Sequence, residues 1–114
     1  NAALGSMLGH NEVITIVFCF SAVVLSPIAE EFIFRGTLTN MFLKRGNIWP
    51  KVILSGVIFS TGHMSTNPIS FLMYAYMGMV LPYVYLRTDD IRNSIAIHMI
   101  NNAIAMYVLL VQVI

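Results

Sequence analysis

The heptapeptide EEFIFRG, Glu30 to Gly36, follows directly on the apolar run VITIVFCFSAVVLSPIA of residues 13–29. Two adjacent carboxylates and a guanidinium therefore stand where a hydrocarbon-buried helix would otherwise continue. A charged side chain at the centre of a membrane helix costs about 2.5–3.5 kcal/mol on insertion scales and persists where it faces a bundle interior and finds partners. The stretch thus predicts a membrane helix with a polar inner face, and the rest of the chain must supply what that face meets.

The whole composition agrees. Hydrophobic residues make up 58% of the 114 residues and charged residues 10%, against about 45–50% and about 25% in soluble domains. A soluble domain of this length could not hide that much apolar surface, so lipid is the solvent for much of it. The length suits a single domain over residues 1–114. A net charge of +1 with no Lys/Arg cluster gives no footprint for nucleic acid. Cys19, the single cysteine, reads as a small buried hydrophobe.

A spanning helix needs about 20 mostly apolar residues. The first candidate runs from Glu12 to Lys44, roughly 50 Å at 1.5 Å per residue, too long for one straight crossing. Pro27 offers a kink, dividing it into Glu12 to Ser26 and Pro27 to Lys44. The second span is Pro50 to Met64, short for a crossing; the third is Pro68 to Leu86; the fourth is Ile91 to Ile114. Short connections make them antiparallel neighbours. The fold class is all-α, a polytopic transmembrane helical bundle of about four spans, the first kinked near Pro27. Five of the six Lys and Arg residues, Lys44, Arg45, Lys51, Arg87 and Arg92, fall on one side. The positive-inside rule makes that side, with loops 45–50 and 87–92, cytoplasmic. The expected location is an integral protein of the plasma membrane.

Counting inward from that side places Glu30 roughly 21 Å deep, His63 roughly 18 Å and His98 roughly 12 Å. Three spans therefore bring one acid and two imidazoles to a similar layer, and Asn102 lies one turn beyond His98. Glu31 and Arg35 stand at i,i+4 with the acid first, the better orientation for a helical ion pair. Glu30 is left over, about 100° around the helix. Plainer readings apply to several members taken singly. Glu31–Arg35 reads as an architectural clasp, and Asn101 as a hydrogen bonder between helices. His10 and Glu12 read as solvated, and the Met and Phe residues as packing or lipid-facing. The set of Glu30, His63, His98 and Asn102 resists the plain account.

Three motifs now stand in order: EEFIFR as E-E-x-x-x-R, FSTGH as F-x-x-x-H, and HMINN as H-x-x-x-N. Together they resemble the CPBP intramembrane proteases, also known as the Abi family, which includes CAAX prenyl endopeptidases and bacteriocin-processing or immunity proteins. The resemblance spans roughly Ser26 to Ala105. Members usually carry further spans upstream, so the chain looks like the catalytic core without its N-terminal helices. The resemblance implies that Glu30 activates a water that His63 orients. It implies that Arg35 holds the glutamate pair, and that His98 and Asn102 stabilise the oxyanion.

The residue types suit that chemistry. Peptide hydrolysis needs a base that works near neutral pH and donors aimed at a developing oxyanion. Two histidines and a glutamate are also a ligand set for Zn²⁺ or another divalent metal; Glu30, His63 and His98 would be those ligands. With no H-E-x-x-H helix, the expectation is that no cofactor is required. The expected partners are a peptide or protein substrate, lipidated or carrying a leader, and membrane lipid. The competing functions are a non-catalytic immunity or scaffold protein of the same fold, and a metal or proton transporter with His and Glu relays.

Overall fold

The computed structural model describes residues 2–40, 46–64 and 66–113, and all their regular structure is helical. Among the described residues five helices follow in order: α1 (Ala2–His10), α2 (Glu12–Thr39), α3 (Ile48–Gly62), α4 (Pro68–Thr88) and α5 (Ile91–Val113). The short α1 falls ahead of every expected span. Asparagine or aspartate opens each of the other four by accepting the otherwise orphaned first-turn N–H groups. Asn11 accepts from Val13 and Ile14, Asn47 from Trp49, Asn67 from Ser70, and Asp90 from Arg92. Pro68 follows Asn67 at the first turn of α4, where its missing donor costs nothing. Between α4 and α5, the Arg92 side chain also donates to Asp90 and holds that carboxyl below the usual carboxylate range.

Helices α2, α4 and α5 are long and apolar enough to cross a membrane; α3, with 15 residues, is the shorter apolar fourth. The chain is a helical membrane bundle. Among the described residues its interior is at least as polar as apolar: Leu8, Val52, Phe59, Leu81 and Met106 are buried with Pro27 and Pro82, against eight polar or charged residues. Large apolar side chains such as Ile16, Phe20, Phe32 and Ile104 point outward instead. That inversion is stable only where hydrocarbon replaces water outside. Helix α3 packs on α4, α4 on α5, and α5 returns to α2.

Helix α2 runs through Pro27 without stopping. Leu25 and Ser26 keep right-handed helical dihedrals, and the expected division takes the form of a change in winding. Residues Ser21–Leu25 are wound as a π-helix, and so are Phe32–Thr39. The Ser26 N–H reaches back five residues to the Ser21 carbonyl. In that register the next residue should donate to Ala22, but it is Pro27, which has no N–H. The orphaned Ala22 carbonyl is taken by Asn102 Nδ2 of α5 at 2.9 Å. A winding defect on one helix thereby fixes the position of another. The far end expected for this span, Lys44, lies outside the described residues.

Candidate active site

Close backbone approach between α3 and α4 sets where the second span delivers its histidine. A Cβ on Gly78 would lie 2.7 Å from Phe59 Cβ and 2.9 Å from Gly56 Cα, so only glycine fits this crossing. Phe59 is consequently buried between the helices, with the Phe34 ring edge-on at 5.3 Å. One turn later, His63 closes α3 and folds back so that Nδ1 lies 2.8 Å from the Phe59 carbonyl. A carbonyl only accepts, so Nδ1 carries the proton and donates it. The His63 ring is flanked by Phe59 at 4.2 Å and by Tyr74 of α4 at 4.7 Å.

The inner half of the site surrounds Glu31. Its Oε2 pairs with Arg35 Nε at 3.0 Å, both side chains being wholly buried. Arg35 Nη2 donates to Glu31 Oε1 at 3.4 Å, and Nη1 donates to Ser55 Oγ of α3 at 3.0 Å. On the other side, Glu31 Oε1 lies 2.9 Å from His98 Nδ1 of α5. The expected i,i+4 clasp is therefore present and extends to two further helices. It also fixes His98: with Nδ1 committed to a carboxylate, Nε2 is the nitrogen presented to the rest of the site.

The outer half surrounds Glu30. Ser26 Oγ, one turn earlier on α2, donates to Oε1 at 2.5 Å. Oε2 is buried and accepts no hydrogen bond. It faces His63 Nε2 and His98 Nε2, each at 3.6 Å. Those separations exceed direct hydrogen-bond range and are those at which a bridging water is to be asked for. Glu30 and His63 retain about a quarter of their side-chain exposure, 25% and 27%, so this half is reachable from outside while the Glu31 half is sealed.

Glu30, His63 and His98 thus meet, as the depth count expects. Asn102 joins the same helix pair, but one N–H of its carboxamide is committed to Ala22, which leaves its second N–H for other work. Asn101 does not bridge helices: it is exposed and has no hydrogen-bond partner among the described residues. His10 and Glu12 are exposed as expected, and Cys19 is a free, half-buried thiol. Sequence reasoning passed over Ser26, Ser55 and Tyr74. Ser26 could have been found as the hydroxyl one turn before Glu30; nothing local marks Ser55, twenty residues from Arg35. Among the described residues no group of three or more His, Cys, Asp or Glu side chains is arranged to hold a metal ion.

Comparison with known proteins adds the following. Residues 12–104 match a family model described as type II CAAX prenyl endopeptidase Rce1-like. The chain is similar to "UPF0177 protein YaiH" of Lactococcus lactis subsp. lactis (strain IL1403), 36% identical over 93 residues, covering 78% of this chain and 38% of that protein. It is also similar to "Putative membrane peptidase YdiL" of Bacillus subtilis (strain 168), 30% identical over 79 residues, 69% of this chain and 32% of that one. The chain therefore spans about a third of the length of these curated relatives. No solved structure matches it significantly.

Proposed function

The chain belongs to the type II CAAX prenyl endopeptidase Rce1-like family, and from that premise we propose that it is an intramembrane endopeptidase. In this reading it hydrolyses a peptide bond near the terminus of a membrane-associated peptide, prenylated or carrying a leader, using a water activated by Glu30. The observation that carries the proposal is Glu30 Oε2, a buried acceptor without a hydrogen bond, facing two imidazole Nε2 atoms at 3.6 Å.

The tautomers support a division of labour. His63 gives its Nδ1 proton to Phe59, so its neutral ring offers a lone pair at Nε2. A water between Glu30 Oε2 and His63 Nε2 finds one acceptor for each of its protons. Glu30 takes one proton as the water oxygen attacks the substrate carbonyl, and later returns it to the leaving amine. With Nδ1 donating to Glu31, His98 donates from Nε2 only as the doubly protonated ring, which has the Glu31 carboxylate at 2.9 Å from Nδ1 and the Glu30 carboxylate at 3.6 Å from Nε2 beside it. His98 Nε2–H and the second N–H of Asn102 then serve as donors to the oxyanion. No step requires a metal.

Charge and the residues at one end of the bundle support a reading of the orientation. Asn40 donates to the Tyr85 hydroxyl, Trp49 stacks on Tyr83 at 5.9 Å, and Arg87 lies over the Tyr83 ring. Aromatic and basic side chains mark a membrane–water interface, and we assign this end, with loops 45–50 and 87–92, to the cytoplasmic face of the plasma membrane.

The test is a cleavage assay on prenylated and leader peptides with wild type and Glu30→Gln in parallel, with and without chelator. Turnover retained by Glu30→Gln removes the reading, and turnover lost to chelator replaces the metal-free route with a metal-assisted one. Binding or immunity that survives both Glu30→Gln and His98→Ala, without cleavage by wild type, establishes the scaffold alternative.

A further inference from the structure

A groove of about 360 Å³ lies between α4 and α5, its lining including Met73, Tyr74, Tyr76, Met77 and Asn101. It adjoins the site: the Tyr74 ring that borders it is stacked on His63, whose Nε2 faces Glu30. Its polar groups need explaining. Asn101 is the eleventh of the 23 residues of α5, at the middle of a spanning helix. Its carboxamide and the Tyr74 hydroxyl have no hydrogen-bond partner among the described residues. At that depth neither water-filled bulk nor hydrocarbon satisfies them for free, and an unpaired amide facing acyl chains is unfavourable.

The occupant of the groove must therefore bring hydrogen-bonding groups as well as apolar bulk. A hydrocarbon tail supplies only the second. A peptide main chain supplies both, and its adjacent C=O and N–H are the complement of a carboxamide, which donates and accepts side by side. The methionines are adaptable neighbours for apolar side chains of varied shape.

We propose that this groove binds the extended main chain of the substrate peptide beside the scissile bond, with Asn101 pairing to one of its peptide groups. This rests on the endopeptidase reading and gives it a specificity element: selection for accessible, unfolded backbone by a residue that takes no part in the bond-breaking step. Asn101 is exposed and makes no hydrogen bond to another described residue, so its substitution reports chiefly on binding.

The experiment uses the full chain in lipid nanodiscs and a farnesylated C-a-a-X peptide, together with derivatives N-methylated at one backbone amide at a time. Dissociation constants are measured on Glu30→Gln and steady-state constants on the enzyme with Glu30 intact. Asn101→Leu is expected to raise Kd and KM about tenfold, the loss of one hydrogen bond to a desolvated group, with kcat within about twofold of wild type. One N-methyl derivative should weaken binding to the Asn101 protein equally, yet add nothing to the defect of Asn101→Leu. Kd unchanged in Asn101→Leu, or N-methyl penalties that add in full, overturns the proposal. So does a defect that follows the length of the prenyl chain and ignores N-methylation, which would make the occupant a hydrocarbon tail. The outcomes separate cleanly: cleavage by Glu30→Gln defeats the catalytic reading, whereas the binding series judges the groove.

Discussion

Glu30 and Glu31 are neighbours in sequence and opposites in circumstance. Glu31 is sealed in, with Arg35, Ser55 and His98 drawn from three helices around it. Glu30 is a quarter exposed, spends one oxygen on Ser26 and leaves the other facing two imidazoles without a hydrogen bond. One turn of helix thus carries an ion-paired carboxylate and, in the proposed reading, a reactive one, separated by the roughly 100° between adjacent residues. The lesson is that ion pairing and burial, more than residue type, set the two apart: Glu31 is sealed against the Arg35 guanidinium, whereas Glu30 has a serine hydroxyl and two imidazoles beside it. His98 joins them, with Nδ1 on Glu31 and Nε2 toward Glu30.

Breaking the contrast from the reactive side should give the largest effect. Glu30→Gln is expected to lower kcat by at least about 10³-fold, in line with removal of a general base, while a detergent-denaturation midpoint stays at the wild-type value. Arg35→Met attacks the sealed side, and its effect should fall on stability: about 3–5 kcal/mol, as when one partner of a buried ion pair is removed, read as loss of folded protein in SDS titration. A midpoint unchanged by Arg35→Met would mean that the Glu31 cluster is not what holds the spans together.

Two smaller changes sharpen the contrast. Gly78→Ala places a methyl within 2.7–2.9 Å of Phe59 and Gly56, and should cost about 1–3 kcal/mol by overpacking. Because the same contact delivers His63, kcat should fall along with stability, and a loss of stability alone would separate the crossing from the site. Asn102→Ala removes an interhelical hydrogen bond worth about 1 kcal/mol in membranes, a modest shift in the SDS midpoint. If its second N–H serves the oxyanion, kcat should drop more than KM rises; an effect on stability alone would make it only the fastener of Ala22.

Much of this was legible in the residues. The spans could be read from length and apolar content, and the convergence of Glu30, His63 and His98 followed from counting helix rise inward from the charged ends. Glu31–Arg35 could be read from its spacing. What escaped depends on register and distance. The π-wound turn at Ser21–Leu25 leaves no mark in composition, so the partner of Asn102 could not be assigned, although Pro27 signals that some carbonyl upstream lacks its donor. Ser55 is an unremarkable serine until α3 is docked. Asn101 was expected to fasten helices because buried amides usually do, and its outward placement depends on the rotation of α5, which an apolar helix without a clear polar face does not announce. Helix α1 is too short and too rich in glycine for its pattern to stand out.

The link between α4 and α5 has a mechanical consequence. Only Asp89 and Asp90 separate the two helices, and Asp89 occupies the left-handed region at φ 51°. So short a tether prevents one rod from sliding along the other and leaves splaying as the soft motion. Tyr74 stands fourteen residues from the Thr88 end, a lever arm of about 21 Å, so a rotation of about 3° there widens the gap at its level by about 1 Å. If the groove between α4 and α5 holds a peptide strand as proposed, splaying about this link is the motion that would set how wide a strand fits.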